Sequence, residues 1–519
     1  MTSTFHSIET VKRSLFTQTA ALSTTGHNIA NANTEGYTRQ TVKMKPSLSI
    51  EAYGLNRSSA PGQLGTGVEY QSIERIRQEF LDSQYRSENT ANGSWDIKSD
   101  TLSKLEGVFN EPSDTGISKV LNNFWNSWSN LSKDPESASA RKVVKENASA
   151  LTDAMNYISG QLTNLNKDLT TNVGVKASEV QNYLTSIADL NQTITRIEGL
   201  GDQANDLRDQ RDLLTDKLSH IINVNVQETD QGYTISMGSQ VLVEGKVVQV
   251  DLDGTGTDDK GTFLESAYTS GNLTGGEVYG MIASRENYVK DYQKQLDNLA
   301  NTLANGEIQV TLPKGTILPE GVTVQGVTGR NVTQDTVVTV KGINGLHQLG
   351  YTMDGTTTGG LPFFEAKGGA EITAANISLN SSIAANENLL ATSMRTENTG
   401  TKESVIKGNN SLALLMSSLK QTNFSSTQGS QKTTIDGLYN LSVGQLGVQS
   451  QEAKRQLDNS SILVEQVESQ RQSVSGVSLD EEMSNMLKFQ HAYNAAARFM
   501  TTFDELLDKL INSTGTVGR

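Results

Sequence analysis

The sequence predicts a mainly α protein with β insertions, and three observations lead to this fold class. Apolar residues recur every seven positions at both ends of the chain, long middle stretches have helical periodicity, and Val- and Thr-rich segments interrupt them. At 519 residues the chain exceeds what one hydrophobic core can serve, so several domains are expected. We predict terminal coiled-coil helices, an elongated helical bundle, a small β meander and an outer β module.

The last helix is the clearest element in the sequence. Apolar residues occupy the first heptad positions from Leu479 and the fourth positions from Phe489 onward, which predicts a helix that packs lengthwise on another helix. The two rows consist of Leu479, Met486, Tyr493, Met500 and Leu507, and of Phe489, Ala496, Phe503 and Leu510.

The first helix, expected from Thr4 to about Asn31, carries a weaker version of the same pattern. Gln18 and Thr25 stand in its fourth-position row, and Gly26 is expected to interrupt it. Because the stripes lie at the two ends of the chain, we expect the ends to meet and to form an assembly interface with neighbouring subunits. An ordinary helix pair within one chain explains the same pattern. The N-terminal stripe consists of Ile8, Leu15, Leu22 and Ile29, with Val11 in the other row.

The spacing of apolar residues divides the middle of the chain into helical and strand-like segments. Helical spacing is predicted from about Ser72 to Ile222 and again from about Ser404 to Val474, and alternation typical of strands lies between them. The predicted domains are a terminal coiled-coil domain at 1–71 and 475–519, a helical bundle at 72–305 and 342–474 with β hairpins at about 221–270, and an inserted outer β module at 306–341.

Composition narrows the possible functions. The net charge of −15 argues against nucleic acid and against an anionic membrane surface as partners. The chain has no cysteine, which excludes disulfides, thiolate metal sites and thiol nucleophiles. It has neither a signal-peptide pattern nor an apolar run long enough to span a bilayer, so we expect no membrane insertion.

Four features could carry chemistry, and each has a simpler explanation. The five histidines lack metal-ligand spacing, and the acidic stretch Asp251–Asp259 lacks the closing Glu of a calcium loop. The charged stretch Asn205–Asp212 is predicted to be a solvated helix face laced with ion pairs. Trp125 and Trp128 are predicted to anchor a core rather than to stack on a ligand. We therefore predict no catalytic, cofactor or metal site.

Several segments resemble the axial family of flagellar rod, hook and hook-associated proteins. The stretch Ala30–Gln40 is similar to the N-terminal signature of that family, through Asn31, Asn33, Thr34, Gly36, Tyr37, Arg39 and Gln40. The stretch from Val477 to Leu510 resembles its C-terminal signature, and the Tyr-Thr-Arg-Gln ending is closer to the hook-associated branch than to rod or hook proteins. The resemblance extends through most of the middle, and 306–341 departs from it.

The resemblance implies a structural junction subunit between flagellar hook and filament, and not an enzyme. It implies export through the flagellar type III channel to the extracellular flagellum. Its partners would be copies of itself, the hook protein, hook-associated protein 3, and an export chaperone at the C-terminal region. A hook or rod subunit is the alternative within the family, and a secreted carbohydrate- or calcium-binding enzyme is the alternative from another class.

Overall fold

The computed structural model describes residues 6–48, 65–111, 113, 116–252, 261–355, 357–369, 371–399, 402–425 and 432–513. The described chain is mainly helical with several small sheets, so the predicted fold class is confirmed. It divides into two compact units, of which unit 1 contains Met1–Ser94, Gly174–Tyr279 and Asp458–Arg519, and unit 2 contains Trp95–Val173 and Gly280–Leu457. None of the described helices is long and apolar enough to cross a membrane.

The helices include four of more than thirty residues, among them the last one. A π-helical turn at Ser284–Val289 joins α7 to α8. The helices are α1 (His6–Ala30), α2 (Glu79–Phe109), α3 (Ile117–Leu131), α4 (Ala138–Glu198), α5 (Asn205–Ile221), α6 (Thr262–Thr269), α7 (Gly276–Ala283), α8 (Lys290–Asn305), α9 (Gly342–His347), α10 (Ser381–Ala385), α11 (Ser411–Ser418), α12 (Ile435–Ser475) and α13 (Leu479–Ser513).

The strands form small antiparallel sheets of two or four strands. They are β1 (Gln40–Pro46), β2 (Val68–Arg75), β3 (Asn225–Thr229), β4 (Gly232–Met237), β5 (Gln240–Glu244), β6 (Val247–Val248), β7 (Glu307–Leu312), β8 (Thr336–Lys341), β9 (Phe364–Ala366), β10 (Ile377–Leu379), β11 (Thr396–Thr399), β12 (Lys402–Val405), β13 (Phe424–Ser425) and β14 (Lys432–Thr433).

In unit 1, α1 lies on the two-stranded sheet of β1 and β2, in which Gln40 pairs with Arg75. The side of α1 that is buried is small and polar rather than apolar. It includes Thr17, whose hydroxyl donates to the Val68 carbonyl at 3.3 Å. Strands β3 to β6 pair in chain order, which is the predicted small meander.

The core of unit 2 is rich in aromatic side chains. Trp125 and Trp128 are almost fully buried, and Phe363 lies with its ring centroid 5.6 Å from that of Trp128 and 4.8 Å from that of Phe364. Offset and perpendicular rings of this kind stabilise a core beyond simple burial. The tryptophans therefore serve the core, as the sequence analysis favours.

His347 is enclosed in the same unit with both ring nitrogens engaged. Its Nε2 accepts from the Ala391 N–H at 2.9 Å, so the proton sits on Nδ1, which donates to the Leu361 carbonyl. Burial lowers the pKa of His347 to about 4. The side chain is therefore neutral at physiological pH and acts as a structural bridge between two loop segments.

The β-rich stretch 306–341 contains β7 and β8, which pair in register from Glu307–Lys341 to Leu312–Thr336. Alternate side chains of both strands are buried, as expected for a sheet with one face on a core. Strands β13 and β14, which lie outside this stretch, complete the sheet in the order β14-β13-β7-β8. The description of 306–341 as a separate outer module, like the other predicted domain boundaries, stays a prediction.

Three local predictions are wrong. Helix α1 continues through Gly26, because a single glycine costs only about 1 kcal/mol in a helix that packs on a neighbour. The region after Ser72 is strand until Arg75, and the region after Ser404 contains strands as well as α11. Their charged and polar residues made them look like solvated helix. Most of the acidic stretch Asp251–Asp259 lies outside the described residues.

Candidate functional site

The first and last helices, α1 and α13, pack along each other in unit 1. Most members of the two predicted stripes are half-buried, as expected for rows that face a partner helix. The half-buried members are Ile8, Val11, Leu15, Leu22 and Ile29 of α1 and Met486, Phe489, Ala496, Met500, Phe503 and Leu507 of α13.

Three predicted interface residues are more exposed than the rest. The exposed fractions of Leu479, Tyr493 and Leu510 are 49%, 38% and 55%. Further large apolar side chains outside the predicted rows are about 48–74% exposed, so the helix pair keeps apolar surface that the described residues do not fully cover. These are Phe16 of α1 and Met483, Leu487, Phe499, Leu506 and Ile511 of α13.

The loop after α1 and the first residue of β1 together hold all seven predicted signature residues. Asn31 donates from Nδ2 to the His27 carbonyl at 3.1 Å, and Thr34 donates from Oγ1 to Asn31 Oδ1 at 3.2 Å, so the loop is a series of tight turns. Gly36 has a φ of +78°, and a Cβ at this position would lie 3.0 Å from the Leu213 Cβ. The seven residues are Asn31, Asn33, Thr34, Gly36, Tyr37, Arg39 and Gln40.

Four side chains tie this loop to the first turn of α13, and we call Asn28, Tyr37, Arg39 and Glu482 the terminal latch. Tyr37 donates its hydroxyl to Asn28 Oδ1 at 2.7 Å, and Asn28 donates from Nδ2 to Glu482 Oε2 at 3.1 Å. Arg39 donates from Nε to Glu482 Oε1 at 2.8 Å. Both carboxylate oxygens of the almost fully buried Glu482 are therefore satisfied.

The latch places a phenol among negative charges. Burial, and then the charges of Asp206, Asp209 and Glu482, raise the pKa of Tyr37 well above its usual range. Tyr37 therefore remains a hydrogen-bond donor at any physiological pH, which is the role that its contact with Asn28 requires.

A second set of contacts fixes the same loop to α5. The Thr38 N–H donates to Asp209 Oδ2 at 2.9 Å, and Gln40 donates from Nε2 to Asp206 Oδ1 at 2.8 Å. Asn205 donates from Nδ2 to Gln40 Oε1 at 3.1 Å. The loop is thus held both by the last helix and by a helix from the middle of the chain.

The prediction of a solvated face for Asn205–Asp212 is wrong. Asp209, Arg211 and Asp212 are buried, and Arg211 stacks its guanidinium 3.4 Å from the centroid of the Tyr233 ring. The partners of these charges come from distant parts of the sequence, so the alternating pattern alone resembled a surface helix.

The buried charges of α5 form a network with arginines of three other segments. Arg75 donates from one nitrogen to Asp209 at 2.7 Å and to Asp212 at 2.8 Å. Arg86 of α2 donates to Asp216 at 2.7 Å, and Arg471 of α12 reaches the other oxygen of the same carboxylate. The network therefore joins α5 to β2, α2 and the end of α12 within unit 1.

Asp212 is the most enclosed carboxylate of this network. Burial alone would raise its pKa, but Arg77, Arg75 and Arg86, with a hydrogen bond from the Tyr233 hydroxyl, hold the pKa well below its usual range. Burial and the Asp212 charge raise the pKa of Tyr233 to about 12. A carboxylate with so low a pKa is a weak general base at neutral pH, so the arrangement stabilises structure rather than activating a reactant.

The structure brings the predicted site residues together in unit 1, and it adds residues that the sequence analysis missed. Asn28 was missed as a contact residue because it precedes the signature stretch, and Glu482 because it stands in an acidic first turn that already suits a helix N-terminus. A usable signal was present: Arg39 is the basic residue of the loop, and it pairs with Glu481 and Glu482.

Together these features define a class of protein: a structural subunit whose chain ends pair as helices, keep apolar side chains exposed and are tied by hydrogen bonds to the rest of unit 1. Comparisons with known proteins identify the family. The model for the flagellar hook-associated protein FlgK helical domain matches residues 102–308. Models for the flagella basal body rod protein and for the flagellar basal body rod FlgEFG protein C-terminal region match residues 12–38 and 468–513.

Individual relatives agree with the family models. The chain is 35% identical to flagellar hook-associated protein 1 of Bacillus subtilis, with all of both chains covered. It is 25% identical to the protein of that name in Salmonella typhimurium, with 95% of this chain and 97% of the relative covered. The solved structure of the flagellar hook junction protein FlgK from Burkholderia pseudomallei covers 76% of this chain and 100% of its own, with 16% identity and a TM-score of 0.53, and so supports the fold.

The chain belongs to the flagellar hook-associated protein 1 family. It is a structural hook–filament junction protein of the flagellum and not an enzyme, and its family supports self-assembly with other flagellar proteins.

Proposed function

We propose that this protein joins hook to filament by packing the outward apolar side of its α1–α13 pair against copies of itself and against related axial subunits. The observation that carries the proposal is the exposed apolar surface of α13, which includes Leu487, Leu506 and Leu510. Exposed apolar surface of this extent marks interaction sites in proteins that otherwise bury such residues.

The mechanism that we propose divides the work between two faces of the pair. The half-buried members of the heptad rows hold α1 and α13 together, and the exposed apolar side chains remain for neighbours. Long helices with one free face are marginal alone and gain order when another subunit covers them. The terminal latch ties the end of α1 to the beginning of α13, so each copy would present the same surface in the same register.

Family membership and the resemblance of both chain ends support finer assignments, which belong to the same proposal. The protein would reach the extracellular flagellum through the flagellar type III export channel. The hook protein would be its partner on one side and hook-associated protein 3 on the other. An export chaperone would bind the C-terminal region before export, where it would cover the exposed apolar side chains of α13.

Deletion of Leu479–Arg519 tests the role of the last helix. We expect a soluble remainder with a folded unit 2, detected by circular dichroism and tryptophan fluorescence, that no longer restores filaments to a strain lacking the gene. The full-length chain, expressed at the same level, is the control. Filament-bearing hooks in cells that make only the truncated chain would refute the mechanism.

The same strain separates the junction subunit from a hook or rod subunit. Without this protein, hooks should be present and filament subunits should appear in the medium. Absence of hooks would favour the alternative of a hook or rod subunit.

A further inference from the structure

The last turn of α5 in unit 1 holds a histidine whose hydrogen bonds fix its tautomer. Asn89 of α2 donates from Nδ2 to the Asp216 carbonyl at 2.9 Å and to Ser219 Oγ at 3.0 Å. The orientation of this amide is therefore fixed, and its Oδ1 lies 3.2 Å from His220 Nδ1. Because a carbonyl oxygen only accepts, Nδ1 carries the proton, and the neutral ring of His220 presents the lone pair of Nε2.

The lone pair of His220 Nε2 faces a carboxylate. Glu277, in the first turn of α7, places its Oε1 3.6 Å from Nε2. This separation is longer than the about 2.7–3.2 Å of a hydrogen bond between nitrogen and oxygen. In the neutral pair both facing atoms are acceptors, which repel each other at this distance. A cation bound between them would turn the repulsion into attraction.

A second histidine–carboxylate pair of unit 1 has the opposite polarity. His27 Nδ1 accepts from Asn31 Nδ2 at 3.3 Å, because Oδ1 of that amide accepts from Thr34. The proton of His27 is therefore on Nε2, which donates to Asp206 Oδ1 at 3.2 Å. This pair is an ordinary hydrogen bond, so the arrangement at His220 differs from it in kind.

The spacing of the two facing atoms fits a zinc ion. Zinc binds nitrogen and oxygen at about 2.0–2.2 Å, so atoms 3.6 Å apart subtend an angle of about 120° at the ion, close to that of a tetrahedral site. Adjacent ligands of a six-coordinate magnesium ion would be about 3 Å apart. An imidazole nitrogen with a carboxylate oxygen also suits zinc, whereas magnesium and calcium take oxygen ligands.

Both candidate ligands are held by a further side chain. Lys176 of α4 lies with its Nζ 2.8 Å from Glu277 Oε2 and 2.9 Å from Glu179 Oε2. Asn89 holds the imidazole of His220 in the same way. Such partners orient the ligands of metal sites and are part of their construction. Because Glu179 balances the charge of Lys176, the group still offers a negative charge to a cation.

His220 and Glu277 both line a cavity of about 690 Å³ in unit 1. Among the described residues that line this cavity, five are acidic and three are Lys or Arg, so the cavity is negative while His220 is neutral. A negative cavity attracts cations. Its volume leaves room for water molecules, which can complete the four ligands that zinc prefers.

We propose that His220 Nε2 and Glu277 Oε1 bind a zinc ion whose remaining ligands are water. The ion would join the end of α5 to the first turn of α7, and Asn89 and Lys176 would keep the two ligands in place. The site includes neither the terminal helices nor the terminal latch, so it is independent of the proposed assembly function. Sequence spacing does not mark the pair, because its residues lie on different helices far apart in the chain.

Isothermal titration calorimetry with zinc chloride, on the full-length chain purified without a histidine tag, tests the site. At pH 7 we expect one zinc ion per chain with a micromolar dissociation constant. His220→Gln and Glu277→Gln should each weaken binding about tenfold or more, since each removes a ligand. His27→Gln is the matched control and should bind zinc like the wild type, because the imidazole of His27 already donates to Asp206. Absence of binding by the wild type, or equal affinity in the wild type and His220→Gln, overturns the proposal.

Cobalt(II) gives a second measurement that needs no variant. Bound in place of zinc, it should show the intense visible absorption of a four-coordinate ion, and added zinc should remove that absorption. The weak absorption of a six-coordinate ion alone would overturn the geometry argued for this site. Magnesium and calcium chloride should produce no heat of binding that His220→Gln abolishes, and such a heat would overturn the assignment to zinc.

Discussion

Asp212 lies where arginines from β2, the segment after it and α2 meet. A carboxylate buried this deeply is stable only while its guanidinium partners remain, because an isolated buried charge costs several kcal/mol. The arginines that stabilise the Asp212 carboxylate also lower its pKa. The same residue accepts from Tyr233, so the loss of its charge would disturb the meander as well as the arginines.

Replacement of Asp212 by Asn should therefore destabilise unit 1 by about 3–5 kcal/mol at pH 7, as expected for a broken buried ion pair. A carboxylate whose folded pKa is depressed contributes stability above its unfolded pKa and loses it as pH falls below that value. The difference between wild type and Asp212→Asn should thus shrink below about pH 4. Urea unfolding followed by circular dichroism at pH 7 and pH 3 measures the difference in the free energy of unfolding between the two chains. An equal difference at both values would contradict this account.

At the scale of elements, the two sides of α13 have different tasks. Phe489 is half-buried in the row that faces α1, whereas Leu487, two residues earlier, is 55% exposed. Truncation of a buried side chain loses packing and leaves a cavity, whereas an exposed one loses little within the monomer.

We accordingly expect Phe489→Ala to lower the stability of the α1–α13 pair by about 1–3 kcal/mol. Leu487→Ala should change that stability by less than about 0.5 kcal/mol. The rates of amide hydrogen exchange in α1 and α13 of the purified monomer distinguish the two variants. Exchange should rise about tenfold or more with Phe489→Ala and stay within about threefold with Leu487→Ala. Equal exchange rates in both variants would mean that the heptad rows do not hold the pair.

The elements differ in how far the sequence could predict them. The terminal helices were predictable because a seven-residue repeat is local and survives any tertiary context. The end of strand β2, from Ser72 to Arg75, was missed, since Glu74 and Arg75 suggest a charged helix, and its pairing with β1 makes it a strand. The buried network was missed for a related reason: Asp212 is 137 residues from Arg75, and no local pattern records their contact.

At the scale of the whole molecule, the chain passes between its two units four times, so each unit is assembled from separate stretches. Both ends of the chain fall in unit 1, as the paired stripes suggest, and the stretch 306–341 falls in unit 2. All three tryptophans, Trp95, Trp125 and Trp128, belong to unit 2, so tryptophan fluorescence reports on that unit. The sequence alone does not show which distant stretches of the chain join to form one unit, because those contacts are made only in the folded protein.

The two units should respond to acid in different pH windows. In unit 2, His347 is buried in its neutral form with a pKa of about 4. The unfolded state binds this proton near pH 6.5, so stability falls as pH drops from about 6.5 towards 4, whereas Asp212 in unit 1 acts only below about pH 4. Between pH 7 and pH 5 the His347 effect amounts to about 2 kcal/mol.

The midpoint of urea unfolding, followed by tryptophan fluorescence, should therefore move to a lower urea concentration between pH 7 and pH 5 in the wild type. His347→Gln has no titrating group at this position, so its midpoint should change less over the same interval, whatever its stability at pH 7. The Asp212→Asn chain serves as the control, because its substitution lies in the other unit and should leave the fluorescence shift intact. An equal pH dependence in wild type and His347→Gln would show that the neutral imidazole does not set the acid response of unit 2.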